Sequence, residues 1–484
     1  MTTQQIQRKN VNLAYNKHDY GIVLRASAIF YYKKSSSFKT TISFLNYWKI
    51  KRDLEITAIA SLRKMDGSLI SREILSFENS NVINYSPVLT EQDFEGSIEI
   101  EIFSLYDMVI PYAGIIGIYE SENGISMVHT YGRIYSNYEI EEKKVTMPGE
   151  EVCCNGIKDT NEIESFIIAH NGRTYVPSQK IIMSILNHEG ERRDVSFTYP
   201  PIEPFQTLKI RHRDFFPDLV EFLDDKPGFA SYSFKLNDCF TRMIVINQKV
   251  DDTDFQLTHS DFNLKKHVTS PLENNDSVYM FMPRIQNTKQ EVIIYPDCEI
   301  GNYQVTSTSG KSELFNENKA AFISLDGYDS EEIIIKKLDG TTPTRLHTGI
   351  KLSHSDQRLP AECCLGVYNK ITPPKHFFWG LVDSNKNIKS QIILQQFSWK
   401  EKDNTSDLPV EIKLYSDKNN KTLSTTVVPK LLANGEYLTE IFPEANEFLG
   451  EGFGWFTLYS PSGYCMAYST LENSKGSLTF EHTM

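Results

Sequence analysis

One segment of this chain occurs twice. Asp214-Phe-Phe-Pro-Asp-Leu-Val-Glu-Phe-Leu223 and Glu440-Ile-Phe-Pro-Glu-Ala-Asn-Glu-Phe-Leu449 both read acid, apolar, Phe, Pro, acid, two residues, Glu-Phe-Leu. Continued without a gap, Gly228 meets Gly454 and Cys239 meets Cys465. A chain that repeats itself in this way is built from repeated structural units, each stacking on its neighbours.

Upstream of the match, Phe166-Ile-Ile-Ala-His170 leads to Ser178-Gln-Lys-Ile-Ile-Met183, and Phe377-Phe-Trp-Gly-Leu-Val382 leads to Ser390-Gln-Ile-Ile-Leu394. Looser copies run from Gly21 to Lys39-Thr-Thr-Ile-Ser-Phe44 and from Val278 to Lys289-Gln-Glu-Val-Ile-Ile294. Ser121-Glu-Asn-Gly-Ile-Ser-Met127 also lines up with Ser460-Pro-Ser-Gly-Tyr-Cys-Met466. The local pattern inside these copies has period two, as in Ser97-Ile-Glu-Ile-Glu-Ile102 and Val410-Glu-Ile-Lys-Leu414, which is the mark of half-buried strands. Helical patterns are confined to Pro217–Asp225 and Pro443–Leu449.

Many short strands with turn residues between them specify sandwiches or barrels. The expected fold is all-β: four tandem β-sandwich units over 18–145, 160–265, 275–357 and 374–484, arranged as two related pairs. The third is the shortest and most divergent. A length of 484 residues exceeds what one core supports, in agreement with several units. Cys153-Cys154 and Cys363-Cys364 fall at the junctions after units one and three, which suggests that a two-unit block was duplicated. The junctions are short, so the units are expected to dock.

Composition removes several function classes. The net charge of −13 argues against a nucleic-acid backbone as partner. The basic run Lys49-Ile-Lys-Arg52 is short and reads as a solvated turn. The longest apolar run, near Met108 to Tyr119, is broken by Pro111, Gly114 and Gly117 and is too short for a membrane span. The polar N-terminal segment has no apolar signal core, so the expected location is cytoplasmic, or outside by a route without such a signal. Seven cysteines without a C-x-x-C motif fit neither a disulfide framework nor a zinc ribbon.

The chemical motifs are sparse. Histidine recurs near the ends of three units as His259, His354 and His482, while the first unit ends near Tyr135-Ser-Asn-Tyr138 without one. One histidine per sandwich makes no local chelate, so these read as hydrogen-bonding strand-end residues and no metal or other cofactor is expected. His-Ser-Asp at 259–261 and 354–356 cannot be a catalytic chain, because neighbours on a strand point to opposite faces. Gly310-Lys311-Ser312 lacks the first P-loop glycine, that position being Val305. Asp214, Asp218, Glu221, Glu440, Glu444 and Glu447 surround the Phe-Pro turns and read as parts of a plug that closes the sandwich end. Four thiolates at the two junctions would complete a zinc site only by meeting in space; small buried seam residues are the better reading.

The aromatics offer a binding surface. Trp379 and Trp455 sit in strongly β-patterned contexts and are assigned to cores. Trp48 and Trp399 flank charged residues and are the candidates for stacking on a sugar ring or anchoring a protein. The expected function is a non-enzymatic binding or scaffold protein that recognises a glycan or another surface component. The alternatives are a homo-oligomeric assembly subunit and an enzyme with a His/carboxylate site between units.

Overall fold

The computed structural model describes residues 23–484, apart from 91, 109–112, 131–134, 137–150, 235, 237–242, 260–271, 286, 297–300, 325–330, 343–345, 355–357, 368–374 and 397–407. The fold is all-β, built from antiparallel sheets of four or five strands. No helix is long and apolar enough to cross a membrane.

One strand order recurs along the chain. If the strands within a stretch are counted from one to eight, the first sheet is ordered one, six, three, four and the second five, two, seven, eight. This order holds over Val23–His129, Glu151–His259 and Ser277–Val367, and over Phe377–His482 when Ile388–Lys389 and Gln391–Gln396, which both pair with Cys465–Asn473, are counted as one interrupted strand. In the first stretch the extra strand Tyr135–Ser136 adds to the outer edge of Val23–Lys34.

The alternation places each strand. On Phe94–Phe103, Ile98, Ile100 and Ile102 enter the first core. Glu99 and Glu101 face the other way and are also buried, because Arg25 and Arg72 bind them. This strand is therefore buried on both faces, not on one. Val410–Tyr415 shows the simpler pattern, with Val410, Ile412 and Leu414 inside and Glu411 and Lys413 partly open.

Two boundaries move relative to the sequence reading. Cys153 and Cys154 lie within strand Glu151–Ile157, which pairs with Gly228–Phe234 and opens the second stretch. Cys363 and Cys364 lie within Ala361–Val367, which pairs with Leu346–Ser353 and closes the third. The two pairs are parts of sheets at non-equivalent places, not a duplicated junction. The Phe166 match is likewise displaced by one strand: Ile163–His170 is a second strand, whereas Phe377–Val382 is a first. The Ser121/Ser460 match is displaced too, since one lies between the seventh and eighth strands and the other between the sixth and seventh.

The doubled Phe-Pro segment does fall on equivalent elements. Leu219–Leu223 and Ala445–Leu449 are short helices ahead of the sixth strands Gly228–Phe234 and Gly454–Tyr459. A Cβ on Gly228 would meet Leu223 Cδ2 at 2.4 Å, and one on Gly454 would meet Leu449 Cδ2 at the same 2.4 Å. Both glycines leave room for a helix leucine to pack against the strand.

The stretches dock in a closed circuit. Phe38 and Tyr119 pack with Phe166, Ile244 and Phe255, joining first to second. Phe229 packs with Ile293 and Tyr295, joining second to third. Ile393, Tyr468 and Phe480 enter the core of the third. Trp379 and Trp455 of the last stretch enter the core of the first, where Trp455 Nε1 donates to Ser43 Oγ at 2.8 Å.

Candidate metal centre

At the centre of the circuit, the eighth strands of the four stretches pack side by side: Ile125–His129, Phe255–His259, Ala361–Val367 and Leu478–His482. Each is the edge strand of its own sheet and so carries unpaired backbone groups on one side. Side chains satisfy them. Ser477 Oγ accepts from Ile125 N and Thr479 Oγ1 from Met127 N, both at 3.0 Å. Ser126 Oγ accepts from Leu257 N at 3.0 Å. Gln256 Nε2 donates to the carbonyls of Ile125 and Leu478, each at 3.2 Å. Asp254 Oδ2 accepts from Leu359 N at 3.2 Å, tying the second stretch to the third.

The C-terminal ends of three of these strands bring histidines together. His129, His259 and His482 converge with Glu481, and one donor atom from each lies within 4.8 Å of the others. His129 Nδ1 is 3.2 Å from Glu481 Oε2, and His482 Nε2 is 3.7 Å from Glu481 Oε1. The His129 ring centroid lies 4.3 Å from that of His259 and 4.7 Å from that of His482, edge to face in both cases. His129, His259 and Glu481 are buried, while His482 keeps part of its ring open.

The fourth strand contributes an outer contact. Cys363 Sγ is 3.5 Å from Glu481 Oε1. Burial, with the Glu481 charge beside it, pushes the Cys363 thiol well above its ordinary range. The neutral S–H is thus a donor that holds the carboxylate in place. His482 Nδ1 lies 3.3 Å from the carbonyl of Thr483. A proton on Nδ1 bonded there leaves the Nε2 lone pair facing the cluster, the arrangement by which a backbone carbonyl orients a ligand histidine.

Three imidazoles and a carboxylate suit a divalent transition ion of the zinc type. Tetrahedral bonds of about 2.0–2.1 Å put donors about 3.3 Å apart, so the present spacing closes on an ion with shifts of about 1 Å. Four protein donors complete a tetrahedron, as in sites that hold structure together rather than activate water.

The sequence candidates divide sharply. His259 and His482 meet, as does His129, which sequence reasoning passed over because it compared Tyr135–Tyr138, beyond the eighth strand Ile125–His129, with the histidine positions of the other units. His354 follows a seventh strand, not an eighth, and stands apart. It bonds Glu472, Nε2 to Oε2 at 3.4 Å, and this bond raises its pKa. Trp48 is 0% exposed, stacked on Tyr47 in the first core, so it offers no face to a sugar. Trp399 lies outside the described residues. The P-loop-like Gly310 is a left-handed turn glycine between two strands. No family model matches this chain, and a search of the curated proteins returned no significant match.

Proposed function

We propose that the protein is a non-enzymatic β scaffold of four sandwich units, 23–136, 151–259, 277–367 and 377–482, clamped at its centre by a divalent transition ion of the zinc type. The repeated strand order supports the four units. The pairing of units one with two and three with four rests on the helical plug, which among the described residues occurs in the second and fourth.

The observation that carries the reading is the convergence of His129, His259 and His482 with Glu481, donors from three units on strands at equivalent places. Glu481 lies buried against His129, His482 and Cys363, and a divalent ion held by the imidazoles would neutralise its charge. A closed donor set at a seam ties units to one another, which is what a scaffold needs and an active site does not. The open side of His482 is the route by which an ion enters.

The test is elemental analysis of the purified chain, with cobalt substitution. One equivalent of metal, a tetrahedral cobalt spectrum, and loss of both in His129→Ala and His482→Ala are expected. Removal of the ion with a chelator should lower the melting temperature of the native protein and not that of the variants. Failure to bind zinc or cobalt by a chain that is otherwise folded would overturn the clamp.

A further inference from the structure

The basic run at 49–52 is helical, and it ends at a second seam. The helix Tyr47–Arg52 of the first stretch meets strand Phe377–Val382 of the last. Tyr47 is stacked between two indoles, with centroids 3.9 Å from Trp48 and 4.5 Å from Trp379. Two amines lie around Trp379. Lys51 Nζ is 5.0 Å from the Phe377 ring and 5.4 Å from that of Trp379. Lys375 Nζ is 4.7 Å from Phe378 and 6.0 Å from Trp379.

Their neighbour Lys49 bonds Asp53 at 2.8 Å and Glu55 at 2.5 Å. Among the described residues, neither Lys51 nor Lys375 has a carboxylate partner. Aromatic faces attract a cation but leave its charge uncompensated. Two such amines at one indole are therefore short of an anion. Burial brings Lys375 down to about 7, helped by Lys51, and Lys51 down to about 8, helped by Arg52.

A flat surface adjoins the amines. Tyr459 is the cross-strand partner of Phe377, is 49% exposed, and stacks on His376 with centroids 6.2 Å apart. Phe377 is half-buried, with Lys51 Nζ over its ring. A ligand that fits carries an oxyanion for the amines and a ring with an apolar face for the aromatics.

We propose that Lys51, Lys375, Phe377 and Tyr459 form a surface site for an acidic sugar residue, its carboxylate between the two amines and its ring against Tyr459. The site is separate from the metal cluster and does not depend on it.

The experiment is calorimetric titration of the full chain with a glucuronate-containing tetrasaccharide, a neutral glucose tetrasaccharide and sodium sulfate. The acidic oligosaccharide should bind and the neutral one should not. Losing one charge-assisted contact should weaken binding about tenfold or more in Lys375→Met and Lys51→Met, while Lys49→Met should leave it unchanged. Melting temperatures matching the parent's would show that the variants fold. Binding should tighten as pH falls from 8.5 to 6.5, since the anion favours the charged amines. The other groups near them are Arg52 on the helix, Cys465 next to Lys375, and the stacked His376 and Tyr459 of the site. The same pH trend in His376→Gln would assign it to the lysines. No binding of the acidic oligosaccharide, equal binding of the neutral one, or indifference to both lysine variants would overturn the proposal. Sulfate binding as tightly as the tetrasaccharide would overturn its sugar half.

Discussion

At the scale of single residues, burial decides what a side chain does, and flanking charge is a poor guide to burial. Trp48 is followed by Lys49, Lys51 and Arg52, which suggested an open indole. A six-residue helix instead drives Tyr47 and Trp48 into the core, with Lys49 exposed and Lys51 laid over Phe377 and Trp379. The same principle governs Glu362 in Ala361–Val367. Its carboxyl lies 3.7 Å from Lys351 Nζ, and burial, with Glu291 adding to it, pushes its pKa up to about 8. An unfolded glutamate titrates near about 4.3. Between these values the unfolded chain has lost a proton that the folded chain keeps. The Glu362 contribution to stability is therefore complete below about pH 4.3 and is lost as pH rises through 8. Thermal melts from pH 5 to 8.5 should show Glu362→Gln gaining on the parent steadily toward the alkaline end. A constant difference across that range would contradict the assignment.

At the scale of elements, the second and fourth stretches share one device: a helix leucine seated over a strand glycine. Gly228→Ala and Gly454→Ala should each cost about 1–3 kcal/mol, as overpacking does in a filled core. Backbone stands in the way too, since the added Cβ would meet the carbonyl of Leu186 at 3.1 Å and that of Tyr415 at 2.8 Å. Urea titration of both variants checks the equivalence, and a near-neutral effect at either site would break it. This equivalence was legible in the sequence because Pro, Phe, Leu and Gly there each meet a distinct steric demand. The matches at Phe166 and Ser121 were not secure, because amphipathic strands one place apart carry the same alternation. The central strands show a related effect. Gln256→Ala removes the amide bonded to the carbonyls of Ile125 and Leu478 and leaves both carbonyls buried without that donor. A loss of about 1–3 kcal/mol in the same titration is expected.

At the scale of the whole molecule, the four stretches are not beads on a string. The first core contains Trp379, Leu381 and Trp455 from the last stretch, so the first half does not close that core alone. A fragment of residues 1–270 should bind a hydrophobic dye strongly, and adding residues 271–484 should suppress the signal; a compact, dye-silent fragment would show that the halves are independent. What the amino-acid sequence determined by itself is the all-β class and the recurrence of a short Phe-Pro helix ahead of a strand glycine. These depend on period-two alternation, turn residues and short-range spacing, all of which are properties of neighbours in the chain. Only the tertiary structure decided that His129, His259 and His482 meet beside Glu481 while His354 does not, and that Lys51 and Lys375 lie around one indole. Those encounters depend on which edge strands face one another across the circuit. A one-strand error in register along the chain moves a histidine from the centre of the molecule to its flank.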